Sequence, residues 1–232
     1  MIQKVFNRYE KKYLLDEKTY QAFKKELDLY MQEDAYGWHT IRNIYFDTAD
    51  DALIRTSIEK PKYKEKFRVR CYGQPTEDTT YFLEIKKKYD GLVNKRRIPL
   101  SKEEAMQYLN EGKEPGEAGQ IYREVDYFFT HYHILPKRYI AYDRLAMFGK
   151  EDADFRVTFD VAIRSRTQNL TLESDTNTTL LLAPGYYLME VKIADAMPKW
   201  FVDLLSKYHI YSTSFSKYGM FYQKQMKEKI GA

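Results

Sequence analysis

The 232-residue chain is 44% hydrophobic and 31% charged, and its 38 Lys and Arg against 34 Asp and Glu leave a net charge of only +4. That balance supplies a real core and excludes both a histone-like polycation and an acidic disordered chain, so a strongly basic site must come from local sorting of charge. The lone cysteine, Cys71, excludes an internal disulfide framework and a multi-cysteine zinc site.

No apolar stretch nears the roughly 20 residues of a membrane span, and the first residues carry no apolar signal-peptide core. A cytoplasmic protein without a membrane span is expected. At roughly 150 residues per domain the length allows one large domain or two small ones. With no repeat, low-complexity tract or Pro/Ser-rich linker in sight, one domain over residues 1–232 is the simpler expectation.

In chain order, Val5 to Leu15 alternates: Arg8, Glu10 and Lys12 share one face, and Tyr9, Tyr13 and Leu15 the other, which predicts a strand. Asp16 reads as the N-cap of a helix from Glu17 to about Met31, with Tyr20, Phe23, Leu27 and Tyr30 as its apolar stripe. A strand over Thr40 to Asp47 follows, then a short helix opened by Thr48. Tyr63 to Tyr72 places Lys64, Lys66, Arg68 and Arg70 opposite Phe67, Val69 and Cys71. In Thr79 to Lys88, Phe82, Glu84, Lys86 and Lys88 oppose Tyr81, Leu83 and Ile85. Asp90-Gly91 is a two-residue hairpin signal that pairs this strand with Leu92 to Leu100.

Ser101 and Glu104 form a capping-box pattern for a helix to Asn110. Glu111 to Gly119 reads as a loop and Gln120 to His133 as a helix. Strands are expected over Pro136 to Met147 and Asp154 to Arg164, the latter with Arg156, Thr158 and Asp160 against Phe155, Val157, Phe159, Val161 and Ile163. Gln168 to Ala183 reads as irregular, Tyr186 to Ile193 as a strand, and Pro198 to His209 and Ser216 to Lys229 as helices.

The polar faces of six strands are charged rather than merely polar: Arg8/Glu10/Lys12, Lys66/Arg68/Arg70, Glu84/Lys86, Lys95/Arg97, Arg156/Asp160 and Glu190/Lys192. A solvated outer face of an antiparallel sheet accounts for this pattern as readily, since a sheet needs only one buried face. Two features favour another arrangement. These faces carry little Thr, Ser or Gln, and some five amphipathic helices need apolar surface to cover. An inverted barrel of about eight strands satisfies both, with helices on its apolar outside and charge inside. The fold class is then α+β, an antiparallel barrel or tunnel with helices packed outside. So many cations cannot line a dry lumen unpaired, so the lumen must hold water and a polyanion. Phosphate suits the Arg fork and the Lys point charge. Glu residues among the bases suit a divalent metal, Mg²⁺ or Mn²⁺, bridging carboxylate and phosphate oxygens. Bases alternating with acids make a nucleic-acid surface the poorer reading, and the four His are read as non-ligands. A non-catalytic polyphosphate- or nucleotide-binding module is a competing reading.

The ordered motifs resemble one family. Arg8-x-Glu10-x-Lys12-Tyr13, Ile44-Tyr45-Phe46-Asp47, Lys66-x-Arg68-x-Arg70-x-Tyr72-Gly73, Leu83-Glu84-Ile85-Lys86, Lys95-Arg96-Arg97, Tyr142-x-Arg144, Arg156-x-Thr158-x-Asp160, Glu190-x-Lys192 and Phe215-Ser216-Lys217-Tyr218 are similar to the VTC (vacuolar transporter chaperone) domain of the triphosphate tunnel metalloenzymes, relatives of CYTH domains. The resemblance implies polyphosphate polymerase chemistry, transfer of the ATP γ-phosphoryl to a polyphosphate chain with release of ADP. It implies Lys12, Arg68, Arg70, Lys86, Arg97, Arg144, Arg156, Lys192 and Lys217 as catalytic bases along the tunnel. Arg8, Lys66, Lys95, Tyr45, Tyr142 and Ser216 are implied as further phosphate contacts, and Glu190, with Glu10 and Glu84 as helpers, as metal ligands. The implied partners are ATP and polyphosphate or tripolyphosphate; the oligomeric state is left open. Eukaryotic members carry an additional phosphate-sensing domain and membrane helices not found in these residues, so a free-standing catalytic domain is expected. The first strand reads Arg-x-Glu-x-Lys, departing from the Glu-x-Glu-x-Lys of CYTH proteins, which favours the polymerase over a triphosphatase or cyclase.

Overall fold

The structure, a computed structural model, describes residues 5–113, 119–193 and 196–231, with side chains from Tyr9 onward. The elements in order are β1 (Val5–Asp16), α1 (Glu17–Leu27), β2 (Met31–Glu33), β3 (His39–Asp47), α2 (Ala52–Ile58), β4 (Tyr63–Tyr72), β5 (Tyr81–Tyr89), β6 (Leu92–Leu100), α3 (Lys102–Glu111), α4 (Gln120–Tyr132), β7 (Leu135–Gly149), β8 (Arg156–Arg166), β9 (Thr179–Leu180), β10 (Tyr186–Ile193), α5 (Lys199–Lys207) and α6 (Lys217–Ile230). The middle of the loop expected over 111–119 lies outside the described residues.

The sheet runs β2-β7-β3-β4-β5-β6-β1-β10-β8-β9, and β7 pairs with β8 as well. Eight antiparallel strands therefore make a continuous circuit, β7-β3-β4-β5-β6-β1-β10-β8 and back to β7, with β2 and β9 as short additions. The β5–β6 register, Tyr89 opposite Leu92, leaves Asp90 and Gly91 as a two-residue turn, both at positive φ (44° and 91°). That is the backbone a tight hairpin of right-twisted strands requires, and Asp-Gly adopts it readily. Ser101 and Glu104 form the reciprocal capping box at the start of α3.

The outer faces of the strands are apolar and lie under helices. Tyr13, Leu15, Val157, Phe159, Met189 and Val191 pack with Phe23 and Leu27 of α1 and Phe201 of α5. On another side Phe67, Val69, Cys71, Leu83 and Ile85 pack with Ala105 of α3 and Val125 and Phe128 of α4. Each fully buried side chain of this size stabilises the fold by about 1.5–3 kcal/mol, so the helices hold the barrel from outside. A third cluster fills one part of the interior: Ile140, Ile163 and Leu188 meet Phe215, Tyr218 and Phe221 from the start of α6.

Three expectations are corrected. Helix α1 stops at Leu27, where a tight turn with Tyr30 N–H donating to the Leu27 carbonyl redirects the chain. Met31 then starts β2 opposite Gly149 and buries its side chain there, while Tyr30 remains 41% exposed and stacks on Trp200. Ile163 does not share a face with Val157 and Phe159. Ala162 has φ 47°, and the β7–β8 register shifts between Ala141 and Asp143. One extra residue in a strand reverses the pleat beyond it, so Ile163 turns inward. The stretch read as irregular between Gln168 and Ala183 contains β9.

Candidate functional site

The pleat that sends apolar residues out to the helices sends their neighbours inward, and the inward set is the charged one. A cavity of about 1490 Å³ lies inside the barrel. Its walls carry Lys64, Lys66, Arg68 and Arg70 of β4, Lys86 and Lys88 of β5, and Lys95 and Arg97 of β6. Glu10 and Lys12 of β1, Glu190 and Lys192 of β10, Arg156 of β8 and Arg144 and Tyr142 of β7 complete the ring, with Tyr45 of β3 and Ser216 and Lys217 at the start of α6. Arg96, between two inward residues, points outward to Glu124 of α4. The side chain of Arg8 lies outside the described residues. Glu84 sits behind the wall, 1% exposed.

Two buried carboxylates organise the cations. Glu84 accepts from Arg68 Nε at 2.7 Å, with Lys95 Nζ at 3.4 Å and Arg70 Nε at 3.8 Å. Burial pushes the Glu84 carboxyl up, but Arg70, Arg68 and Lys95 outweigh it and hold the group well below the usual carboxylate range. Asp160, fully buried, takes both arms of Arg144, Nε at 2.6 Å and Nη2 at 2.8 Å, and the Lys217 ammonium. Burial again opposes ionisation, and Arg144 and Lys217 overcome it to leave Asp160 at about 2. Tyr hydroxyls fix one further nitrogen of each of two guanidinium groups: Arg68 Nη1 donates to Tyr45 at 2.9 Å, and Arg70 Nη2 to Tyr142 at 3.0 Å. Arg70 Nε donates to Asn43. These forks are pre-set, so a phosphate meets donors that need little reordering.

Glu10 and Glu190 sit nearer the open space. Glu10 pairs with Lys86 at 2.5 Å, and Glu190 lies 3.7 Å from Lys12 and 3.3 Å from Arg144. The β1–β10 register sets Glu10 opposite Lys192 and Lys12 opposite Glu190, so the two carboxylates are diagonal neighbours on one face. Among the described residues no group of three or more His, Cys, Asp or Glu is gathered closely enough to hold a metal by protein ligands alone.

Two lysines are strongly perturbed. Lys66 falls to about 7 through burial and the surrounding Lys12, Lys86, Lys64 and Arg68. Lys95 also falls to about 7, chiefly through burial, with Glu84 opposing. Cations from every side of the barrel thus outnumber the carboxylates among them, a surplus that an anion must offset.

Sequence reasoning quoted Asp160 in a motif yet gave it no role. Its alternation with Arg156 and Thr158 was the available signal; that one carboxylate would seat two cations from different elements was not in the pattern. The Phe215 carbonyl, which accepts from Lys12 at 2.9 Å, and Asn43 could not be found from side-chain charge at all. The walls also have direction. The β4–β5 register pairs Lys64 with Lys88 near one end of the cavity and finishes at Arg70 opposite Phe82 near the other, where Tyr72 meets Phe82 edge-on, so one end is basic and the other sets aromatic rings beside its arginines.

Among the described residues no helix is long and apolar enough to cross a membrane. No curated protein matches this sequence significantly. Among solved structures, a provisional adenylate cyclase of Bacillus halodurans superposes with a TM-score of 0.56 at 16% identity, covering 92% of this chain and 96% of that one. A Pyrococcus horikoshii protein gives 0.52 at 9% identity over 94% and 99%, and a provisional adenylate cyclase of Vibrio parahaemolyticus 0.51 at 11% over 92% and 98%. At these identities the likeness is one of fold. The model of the VTC domain matches residues 7–225, and so, in agreement with the motifs along its strands, the chain belongs to the VTC domain family.

Proposed function

We propose that this protein is a polyphosphate polymerase that transfers the γ-phosphoryl group of ATP to a polyphosphate chain inside the barrel, the described tunnel and its helices working as one catalytic unit. The reading rests above all on one observation: Lys and Arg from β1, β4, β5, β6, β7, β8, β10 and α6 line one shared cavity. A linear chain of phosphates is the ligand whose charge repeats along such a path. Phosphoryl transfer asks for alignment and charge neutralisation more than for covalent chemistry, which these side chains supply. Arg68, Arg70 and Lys95 around Glu84, and Arg144 and Lys217 around Asp160, form two cationic stations that hold neighbouring phosphoryl groups. The bore confines donor and acceptor to one line, which favours in-line attack.

The donor set also fits a divalent cation. Mg²⁺ and Mn²⁺ are commonly held by one or two carboxylates together with substrate phosphates, and Glu190 with Glu10 offers two carboxylates held in their charged form by neighbouring cations. Glu84 is engaged by three cations and serves as their counter-ion. A metal at Glu190 and Glu10 would neutralise charge on the phosphate oxygens.

The test is product analysis after incubation of purified protein with ATP and Mn²⁺ or Mg²⁺. Long chains with ADP support the polymerase. Free orthophosphate from tripolyphosphate, without chains, replaces it with a triphosphatase. Tight polyphosphate binding without turnover, unchanged in Glu190→Ala, replaces it with a binding module.

A further inference from the structure

The cavity contains a pair that phosphate binding alone does not require. Ser216 is the N-cap of α6, and its Oγ accepts the Gly219 N–H at 3.2 Å. The same oxygen lies 2.9 Å from Lys66 Nζ, brought across the lumen from β4. Both residues line the cavity. An N-cap hydroxyl needs no amine; the common arrangement is completed by the helix N–H groups.

Lys66 is surrounded by charge of its own sign. Lys86 lies opposite it in the β4–β5 register, and Lys12, Lys64 and Arg68 lie near, with burial added. With the amine titrating at about 7, a neutral form is available near physiological pH. A neutral amine accepts from a hydroxyl, so the Ser216 proton then points at Lys66 while the Gly219 N–H stays on an Oγ lone pair. Ser-Lys pairs of this kind activate serine in other folds. The positive end of α6 favours the negative charge that develops on Oγ and on an arriving phosphoryl group.

We propose that Ser216 is a nucleophile and a self-phosphorylation site, its Oγ taking the γ-phosphoryl group of a nucleoside triphosphate while Lys66 takes the hydroxyl proton. The inference rests on the phosphoryl-transfer reading above. The Oγ–P bond forms as the bond from phosphorus to the β,γ-bridging oxygen breaks. The bridging electrons leave with the nucleoside diphosphate, and the proton stays on Lys66 as an ammonium beside the new phosphoserine. Nothing is oxidised or reduced.

Purified protein is incubated with ATP and Mn²⁺, quenched in acid at intervals, and read by intact mass and peptide mapping, with ADP and chains measured in the same tubes. One added phosphoryl group on Ser216 is expected. Lys66→Arg keeps a charged donor but cannot act as a base, and is expected to slow labelling by about a hundredfold or more. Ser216→Thr keeps the hydroxyl and the cap and is expected to carry the label at the same position. Chains and ADP from wild type with residue 216 unmodified overturn the inference and leave the polymerase standing; labelling of another residue, or unchanged labelling in Lys66→Arg, overturns it as well. Absence of ADP, chains and label overturns both.

Discussion

Lys217, the first residue of α6, donates from its ammonium to Asp160 in the middle of β8, and Arg144 of β7 grips the same carboxylate with two bonds. One buried anion thus joins a helix to two strands and holds two cavity-facing cations apart. Removing it leaves those cations buried together with only Glu190, 3.3 Å from Arg144, to balance them, and breaking such a set costs about 3–5 kcal/mol. In a chain of this length that corresponds to a fall in Tm of roughly 10 °C. Asp160→Ala should show this fall in thermal unfolding, together with loss of tripolyphosphate binding. Lys217→Ala and Arg68→Ala remove one cation from a surplus, so each should abolish turnover while Tm stays within a few degrees. An Asp160→Ala protein melting like wild type would refute the counter-ion role.

Because the lumen carries excess positive charge, a polyanion should stabilise the folded state by more than contact alone. A ligand that binds only the native state at a hundred times its Kd adds about 2.7 kcal/mol. Tripolyphosphate should therefore raise Tm by several degrees, and sulfate at equal concentration by less, since only a linear chain reaches both stations. The rise should shrink as sodium chloride increases from 50 to 500 mM, since exposed parts of the tunnel are screened. A shift equal for sulfate and tripolyphosphate would argue against linear recognition.

Lys66 makes binding depend on protons. In the unfolded chain a lysine titrates near 10.5, in the empty tunnel Lys66 titrates near 7. Between those values the folded protein holds fewer protons than the unfolded one, so this group's contribution to stability rises with pH, and its full cost is present below 7. A bound polyanion raises the share of the ammonium form, and the neutral share that remains is the form able to accept the Ser216 proton. Binding should then take up a proton between about pH 7 and 10.5 and weaken as pH rises through that window. Calorimetry at pH 8.5 in two buffers of different ionisation enthalpy measures the uptake. Lys95, also at about 7, contributes too, so the informative quantity is the drop in uptake in Lys66→Met. No drop would show that Lys66 is already charged in the empty tunnel.

Much of this site was legible from the sequence because strands have period two. Once Lys66, Arg68 and Arg70 were seen to alternate with Phe67, Val69 and Cys71, a barrel with its charge inside followed from the need of the apolar side for helices. The Asp90-Gly91 turn fixed the register of β5 against β6 and thereby put Lys86 beside Lys95. What was not legible depended on departures from the period or on contacts distant in sequence. The bulge at Ala162 inverted Ile163 although no glycine or proline marked it. Asp160 and Lys217 are 57 residues apart, and Lys66 and Ser216 are 150 apart, so neither pair has a local pattern. Glu84 looks in the sequence like any carboxylate among bases, and its place behind the wall among Arg68, Arg70 and Lys95 shows only in the structure.

The same long-range logic places α6. The Tyr218 hydroxyl donates at 3.1 Å to Asp47, a fully buried carboxylate at the end of β3. Asp47 also accepts the backbone N–H groups of Thr48, Leu53 and Ile54, so it ties α2, β3 and α6 together. Burial drives the Asp47 carboxyl above its ordinary value, with those hydrogen bonds opposing. Tyr218 follows directly on Ser216 and Lys217, both of which face the lumen, and so it sets where they point. Tyr218→Phe keeps the ring packed against Tyr45 and removes one bond of five to Asp47, a loss of about 1–2 kcal/mol or a few degrees in Tm. Its effect on turnover should be larger than that stability change implies, because the helix start is freed to shift: kcat should fall by about tenfold or more while KM for ATP, which the proposed function assigns to the Arg68 and Arg70 station, changes little. If kcat moves no further than Tm predicts, Tyr218 serves packing alone and the register of α6 is held by Asp160.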